Sequence, residues 1–266
     1  MARYDFTSVR LHVEDDLAEG GRLVLDQGRS NYLRNVMRLS PGDGALLFNG
    51  RDGEWRGRLA DAGRRSVAID LVERTRSQDP LPDLHYLFAP LKQARLDYLV
   101  QKAVEMGAGR LRPVLTRRTQ VRRLGMDRMV ANVREACEQC GVIAVPAVDE
   151  PIDLERALAG WAAAEPGRVL VVCDEAGSAR PENPVDALAD VVRGTPLAVI
   201  VGPEGGFSPE EQAMLSAVSG ARIVALGPRI LRADTAAVAA LAIVQAVAGD
   251  WAPCGGREGP RSRNVP

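Results

Sequence analysis

From residue 84 onward the chain alternates short apolar runs with segments of helical periodicity, and this alternation constrains the fold more than any other feature. LHYLFAPL (84–91) precedes RLDYLVQKAVEMG (95–107), whose apolar spacing is helical and whose last residue is the glycine that suits a helix C-terminus. RLRPVL (110–115) precedes a second long helical segment, MDRMVANVREACEQCG (126–141). RVLVVCDE (168–175) and PLAVIVG (196–202) are unbroken apolar runs, as parallel strands buried on both faces require. SPEEQAMLSAVSG (208–220) opens with Ser208, Pro209 and two glutamates, a helix start. RIVAL (222–226) predicts one more strand, and ADTAAVAALAIVQAVAG (233–249) a helix apolar on most faces and therefore deeply buried. Strands alternating with helices predict an α/β domain with a parallel sheet over residues 84–250.

The first 75 residues read differently. VRLHV (9–13), GRLVL (21–25), GALLFNG (44–50), GEWRGRLAD (53–61) and SVAIDLVE (66–73) are short strand-like stretches separated by Gly and Asp turn signals. SNYLRNVMRL (30–39) is a helical interruption with Ser30 or Asn31 as N-cap. Residues 1–75 are therefore expected to form a small β-barrel carrying one short helix. RSQDPLPD (76–83) reads as a linker, and the Gly/Pro/Arg-rich residues 251–266 as a disordered tail.

Several classes of protein fall away. The chain has 266 residues, 46% of them apolar, enough for a real core. It holds no apolar run of about 18 residues, so no membrane-spanning helix is expected. The start, MARYDFTSVRLHVEDD, lacks an apolar signal core, and four cysteines in this length make no disulfide framework. The expectation is a soluble, reduced, cytoplasmic protein. His12 and His85 are the only histidines and lie in strand-like stretches, which argues against a His-based hydrolase or a metal site. Cys137 and Cys140 have CxxC spacing but fall inside a helix with no second pair, so they read as structural.

The chemistry is concentrated in loops that follow strands. Gly202-Pro203-Glu204-Gly205-Gly206-Phe207-Ser208 runs from a strand end into a helix, where open α/β sheets bind ligands. Its glycines permit close backbone approach or positive φ. It is neither a dinucleotide fingerprint nor a P-loop, and Glu204 would repel a phosphate, so a neutral or cationic ligand suits it better. A second loop, Leu226-Gly227-Pro228-Arg229-Ile230-Leu231-Arg232-Ala233-Asp234-Thr235, sets apolar Ile230 and Leu231 between arginines, the kind of slot that grips a nucleoside. A third, Cys173-Asp174-Glu175-Ala176-Gly177, ends another strand. All three are expected to converge on one site.

Net charge is −1, which taken as a total discourages a nucleic-acid partner. Only Lys92 and Lys102 are lysines, an arginine bias that a GC-rich genome would produce. Yet residues 110–134 hold eight arginines against Asp127, a local net of +7, whereas residues 149–193 hold ten acids against four arginines. A basic stripe of that density reads as a nucleic-acid footprint.

Together GPEGGFS (202–208), LGPRILRADTA (226–236), QKAVEMG (101–107) and REACEQCG (134–141) resemble the bacterial ribosomal RNA uracil-N3 methyltransferases of the RsmE type, in the SPOUT superfamily. YLRNVMRLSPGDG (32–44) resembles that family's PUA-like RNA-binding domain, so the likeness covers nearly the whole chain. It implies an α/β domain with a deep C-terminal trefoil knot that holds S-adenosylmethionine. The cofactor would contact Gly202, Pro203, Glu204, Gly205 and Gly206 on one wall. Leu226, Gly227, Ile230 and Leu231 would hold its adenosine, with Cys173 and Glu175 closing the site.

The implied reaction is methylation of a uridine N3 in 16S ribosomal RNA of the small subunit. N3 must lose its proton, so the chain must stabilise the developing anion electrostatically or use a carboxylate base; Arg232 is the candidate for holding the uracil and Glu204 the candidate base. Arg10, Arg34, Arg38, Lys92, Arg95, Lys102, Arg117, Arg118, Arg122 and Arg123 would meet the RNA, in a homodimer without metal. The family more often has Glu where Asp234 stands and Arg where Val142 follows EQCG, leaving Arg117 or Arg118 to replace that arginine. Another RNA, a ribose 2′-hydroxyl, or a non-catalytic role in ribosome assembly stay open as alternatives.

Overall fold

The computed structural model describes residues 8–61, 63, 66–174 and 183–251. In chain order these form β1 (Arg10–His12), β2 (Arg22–Val24), α1 (Gln27–Asn31), a π-helical turn (Tyr32–Val36), β3 (Gly44–Phe48), β4 (Glu54–Asp61) and β5 (Val67–Arg76). There follow β6 (Leu84–Phe88), α2 (Gln93–Glu105), β7 (Arg110–Leu115), α3 (Met126–Cys140), β8 (Ala147–Val148), β9 (Ile152–Asp153), α4 (Leu154–Leu158) and α5 (Trp161–Ala164). The rest is β10 (Val169–Cys173), α6 (Pro184–Ala187), β11 (Leu197–Val201), α7 (Pro209–Ser216), β12 (Arg222–Val224) and α8 (Ala233–Val247). The chain separates into two compact units: residues 1–81, 100–105 and 125–147, and residues 82–99, 106–124 and 148–266.

In the first unit a curled sheet runs β1-β3-β4-β5-β2, with β1 parallel to β3 and the other pairs antiparallel. Leu11, Val13, Leu33, Leu47 and Ile69 fill its concave side. The short helix begins earlier than expected because Asp26, not Ser30 or Asn31, caps it, accepting a 2.8 Å bond from Arg29 N. Ser30 is buried instead: its hydroxyl donates to Leu25 O and accepts from Val67 N, stitching the helix to β5. The helix then widens into the π turn, and the chain leaves through Arg38 at φ 57°.

α3 also belongs to this unit, although its place in the sequence is among the later strands and helices. Its apolar stripe Met129, Val133, Ala136 and Cys137 is buried. Glu138 accepts a 2.8 Å bond from His12 N on β1, and Arg134 pairs with Glu14. Gly141, in the left-handed region, ends the helix as its sequence position predicts.

In the second unit a sheet runs β12-β10-β11-β6-β7-β8, with β9 alongside β7, and the pairs among β12, β10, β11, β6 and β7 are all parallel. The chain therefore passes from β11 beyond β10 to reach β12. β10 and β11 are buried on both faces, as their unbroken apolar sequences require. α4 and α5, too short to show helical periodicity, bring Leu154, Ala157 and Trp161 into the core with Leu87, Leu170, Val172 and Ile200. Register decides where the site lies. Phe88, Val201, Cys173 and Val224 form one row across β6, β11, β10 and β12, so the loops leaving these strands depart from one edge.

Candidate functional site

Those loops enclose a cavity of about 480 Å³ at the carboxyl ends of β10, β11 and β12. Cys173, Gly202, Pro203, Glu204, Gly205, Gly206, Leu226, Ile230 and Leu231, all expected from the sequence, line it. So do Val201, Phe207, Val224, Ala233 and Ala236, which the motifs do not single out because an apolar residue at an element's end reads as core. Asp174 joins them, placed by a 3.1 Å bond from its N–H to Val224 O that extends the β10–β12 ladder. Gly227 is not part of the lining; at φ 114° it bends the loop that presents Leu226 and Ile230. Arg232 is not part of it either and stands exposed at the N-cap of α8. Glu175 lies outside the described residues.

The glycine-rich loop owes its shape to two of its glycines. Gly206 donates to Pro203 O at 2.8 Å, closing a tight turn with Glu204 at its tip, and adopts φ 69°, where a side chain would be strained. A Cβ on Gly202 would come within 3.1 Å of the Phe207 ring, so the buried aromatic lies directly against backbone. Ser208 then starts α7 with a full capping box: its hydroxyl accepts from Glu211 N, and Glu211 accepts from Ser208 N at 2.8 Å.

Among the described residues the cavity lining contains two carboxylates, Glu204 and Asp174, and no lysine or arginine. Basic residues surround the loop from other elements. Arg95 of α2 lies 3.4 Å from Glu204, both side chains being about 40% exposed. Arg118, from the loop after β7, donates to Gly205 O at 2.5 Å. Its neighbour Arg117 donates through its backbone N–H to Glu211 and pairs through its side chain with Glu210. The bond from the Ser208 hydroxyl, its own backbone N–H and nearby Arg117 hold the Glu210 carboxyl below the usual range.

The other residues expected to meet RNA fall into two groups. In the first unit Arg38 is exposed, and Arg34 is half-buried and paired with Asp61. Arg10 corrects the expectation: its side chain is 6% exposed and paired at 2.7 Å with buried Glu54, so it is structural and not offered to phosphate. Lys102 pairs with Glu105 along α2. In the second unit Lys92, Arg122 and Arg123 are exposed.

The two histidines take no part in the cavity. His12 stacks edge-on against Phe48, and His85 lies beside Glu165. Burial, with Arg134 near one and Arg168 near the other, lowers each to about 4, so both are neutral at pH 7. Burial likewise pushes the Cys137 and Cys140 thiols up, which leaves them unreactive. Among the described residues no group of three or more His, Cys, Asp or Glu could hold a metal ion, and no helix is long and apolar enough to cross a membrane.

Residues 77–245 match the RNA methyltransferase domain family, and residues 25–72 the RNA methyltransferase PUA domain. Two relatives carry the name ribosomal RNA small subunit methyltransferase E. That from Mycobacterium tuberculosis is 30% identical over 248 residues, covering 89% of this chain and 91% of its own. That from Rickettsia conorii is 29% identical over 237 residues, covering 89% and 94%. Among solved structures, a Legionella pneumophila protein in complex with S-adenosylmethionine superposes with a TM-score of 0.80 at 28% identity, over 91% of this chain and 99% of that one. Ribosomal RNA small subunit methyltransferase E from Neisseria gonorrhoeae, bound to S-adenosylmethionine, gives 0.78 at 27% identity, over 92% and 99%. With both domain families matched along the chain, and a relative of that name 30% identical over 89% of it, the chain belongs to the ribosomal RNA small subunit methyltransferase E family.

Proposed function

We propose that this chain is an S-adenosylmethionine-dependent methyltransferase that modifies N3 of a uridine in 16S ribosomal RNA of the small subunit, in the cytoplasm. The observation that carries the reading is the cavity of about 480 Å³ built from three strand-end loops, in a fold whose relatives were solved with that cofactor. Its lining suits the molecule. Leu226, Ile230, Leu231, Ala233 and Ala236 offer apolar walls to an adenosine, while Glu204 and Asp174 favour a cation over a phosphate. A knotted path around the cavity accords with the passage of the chain from β11 beyond β10 to β12.

Bound there, S-adenosylmethionine supplies an electrophilic methyl group on a sulfonium centre. The chain's own residues do the rest. Uracil N3 carries a proton that must leave before or during attack, and Glu204, at the tip of its turn, is the carboxylate that takes it. Arg232, exposed beside Leu231 and Ala233, holds the uracil as negative charge develops on it. Arg34 and Arg38 on the PUA-like unit, and Lys92, Arg122 and Arg123 on the catalytic unit, grip phosphates.

A homodimer is part of the proposal. Along α8, Val238, Ala239, Ala242, Ile243 and Ala246 are partly exposed, and from Thr235 to Ala248 the helix carries no charge; Ile230 is 95% exposed beside its start. An apolar face of that kind suits a second copy, and sedimentation at micromolar concentration is expected to give a dimer.

Mass spectrometry of ribosomal RNA from a strain lacking the gene tests the function. One methyl-uridine of 16S RNA is expected to vanish and to return when purified protein and S-adenosylmethionine are added to the mutant's small subunits. An unchanged modification pattern would end the proposal.

A further inference from the structure

The basic loop after β7 is hydrogen-bonded to the glycine-rich loop after β11 and to the start of α7, and two of these links bear on the turn. At the first, the buried Glu211 carboxylate is shared: one oxygen accepts from Arg117 N at 2.7 Å and the other from Ser208 N at 2.8 Å. At the second, the Arg118 guanidinium donates to Gly205 O at 2.5 Å. The loop supplying these donors is itself fixed. Thr116 and Thr119 are buried, and their hydroxyls lie 2.9 Å apart while that of Thr119 also accepts from Thr116 N. The carbon stem of Arg118 lies across Gly205, where a Cβ would come within 3.3 Å of its Cδ. Gly205 has an ordinary φ, unlike Gly206 in the next position, and a side chain there would require the Arg118 stem to shift by a few tenths of an ångström.

We propose that Arg118, in the geometry set by the buried Glu211 bridge, is a positioning residue that holds the Pro203–Gly206 turn as the cofactor wall, and is not a phosphate ligand of the RNA. The inference rests on the reading of the cavity as a cofactor site. Its physical content is that a charged donor aimed at Gly205 O opposes outward movement of a turn whose only internal backbone bond is Gly206 N to Pro203 O. Arg122 and Arg123, exposed in the same segment, are left to meet the RNA backbone.

Calorimetry of S-adenosylmethionine binding to full-length protein, without RNA, separates the two roles. Arg118→Ala is expected to weaken cofactor affinity by about ten-fold, the scale of one charge-assisted hydrogen bond at an exposed site. Arg118→Lys keeps a stem and one donor but not the planar fork, and is expected to lose about two- to three-fold. In both variants the slope of log affinity against log salt for a 16S RNA fragment should equal that of the wild type. Unchanged cofactor affinity in either folded variant overturns the proposal, and so does a slope smaller by about one, which would make Arg118 a phosphate ligand. Should Arg118→Ala not fold, the lysine variant alone decides. Failure of wild-type protein to bind the cofactor would instead sink the cofactor reading itself, and this inference with it.

Discussion

Arg232 caps α8 without using its side chain for the cap, and its neighbours Leu231 and Ala233, not Arg232 itself, line the cavity. Removing the guanidinium therefore leaves both the helix start and the cavity wall intact. Arg232→Ala is expected to lower single-turnover methylation of small subunits by about 10²–10³-fold, the range for loss of one preorganised donor to a developing anion. Cofactor affinity measured by calorimetry should stay unchanged, and wild-type turnover would remove Arg232 from the mechanism. At this scale the loop part of the cavity was legible, because glycines and an acid at a strand end have few other uses, whereas Val201, Phe207, Val224, Ala233 and Ala236 read as core. Arg10 was not. Its charge is visible in the sequence, but its partner Glu54 stands 44 residues away and meets it only through strand pairing.

The start of α7 was fully legible as an element. Ser208, Pro209 and Glu211 satisfy the first N–H groups of the helix by local bonds alone, so the capping box follows from spacing. Ser208→Ala is expected to cost about 1 kcal/mol of stability, read as a lower urea midpoint at unchanged slope. Ser208 N keeps its bond to Glu211 in the alanine variant, so the Glu211 bridge persists and S-adenosylmethionine affinity should stay near that of the wild type. The helix expected over residues 30–39 shows the opposite case. Two residues could cap it by type, but Ser30 is drawn into the core by Leu25 O and Val67 N, and Asp26 caps instead. α4, α5 and α6 escaped notice for want of length: segments of four or five residues complete too few turns to show a period.

For the whole molecule the two buried histidines predict an acid limit. Both stay neutral down to about pH 4 in the fold, held there by burial and then by Arg134 or Arg168, against the opposing pull of Glu14 or Glu165. In the unfolded chain each takes up a proton near the ordinary histidine value of 6.5, so between 6.5 and about 4 the unfolded state binds more protons. Stability is then complete above that window and falls as pH drops through it. Urea midpoints measured across the window should decline for the wild type and decline less for the His12→Gln, His85→Gln double variant. A flat wild-type profile would show that the histidines are not held neutral.

Local physics decided what could be read directly from the residues. Apolar periodicity separated a β-rich start from a parallel α/β remainder, and the glycine and capping patterns marked the loops and helix ends, because each depends on neighbours a few positions apart. Tertiary structure decided the rest. α3 lies in the PUA-containing unit through His12 and Glu14, although it follows β7 in the chain. Arg10 is buried, Arg34 is paired with Asp61, and Arg118 is bonded to Gly205, whereas Arg122 and Arg123 are exposed. An arginine looks the same in any sequence. Whether it meets a carboxylate, a carbonyl or solvent depends on which strands pair and in what register, and those contacts lie tens of residues apart along the chain.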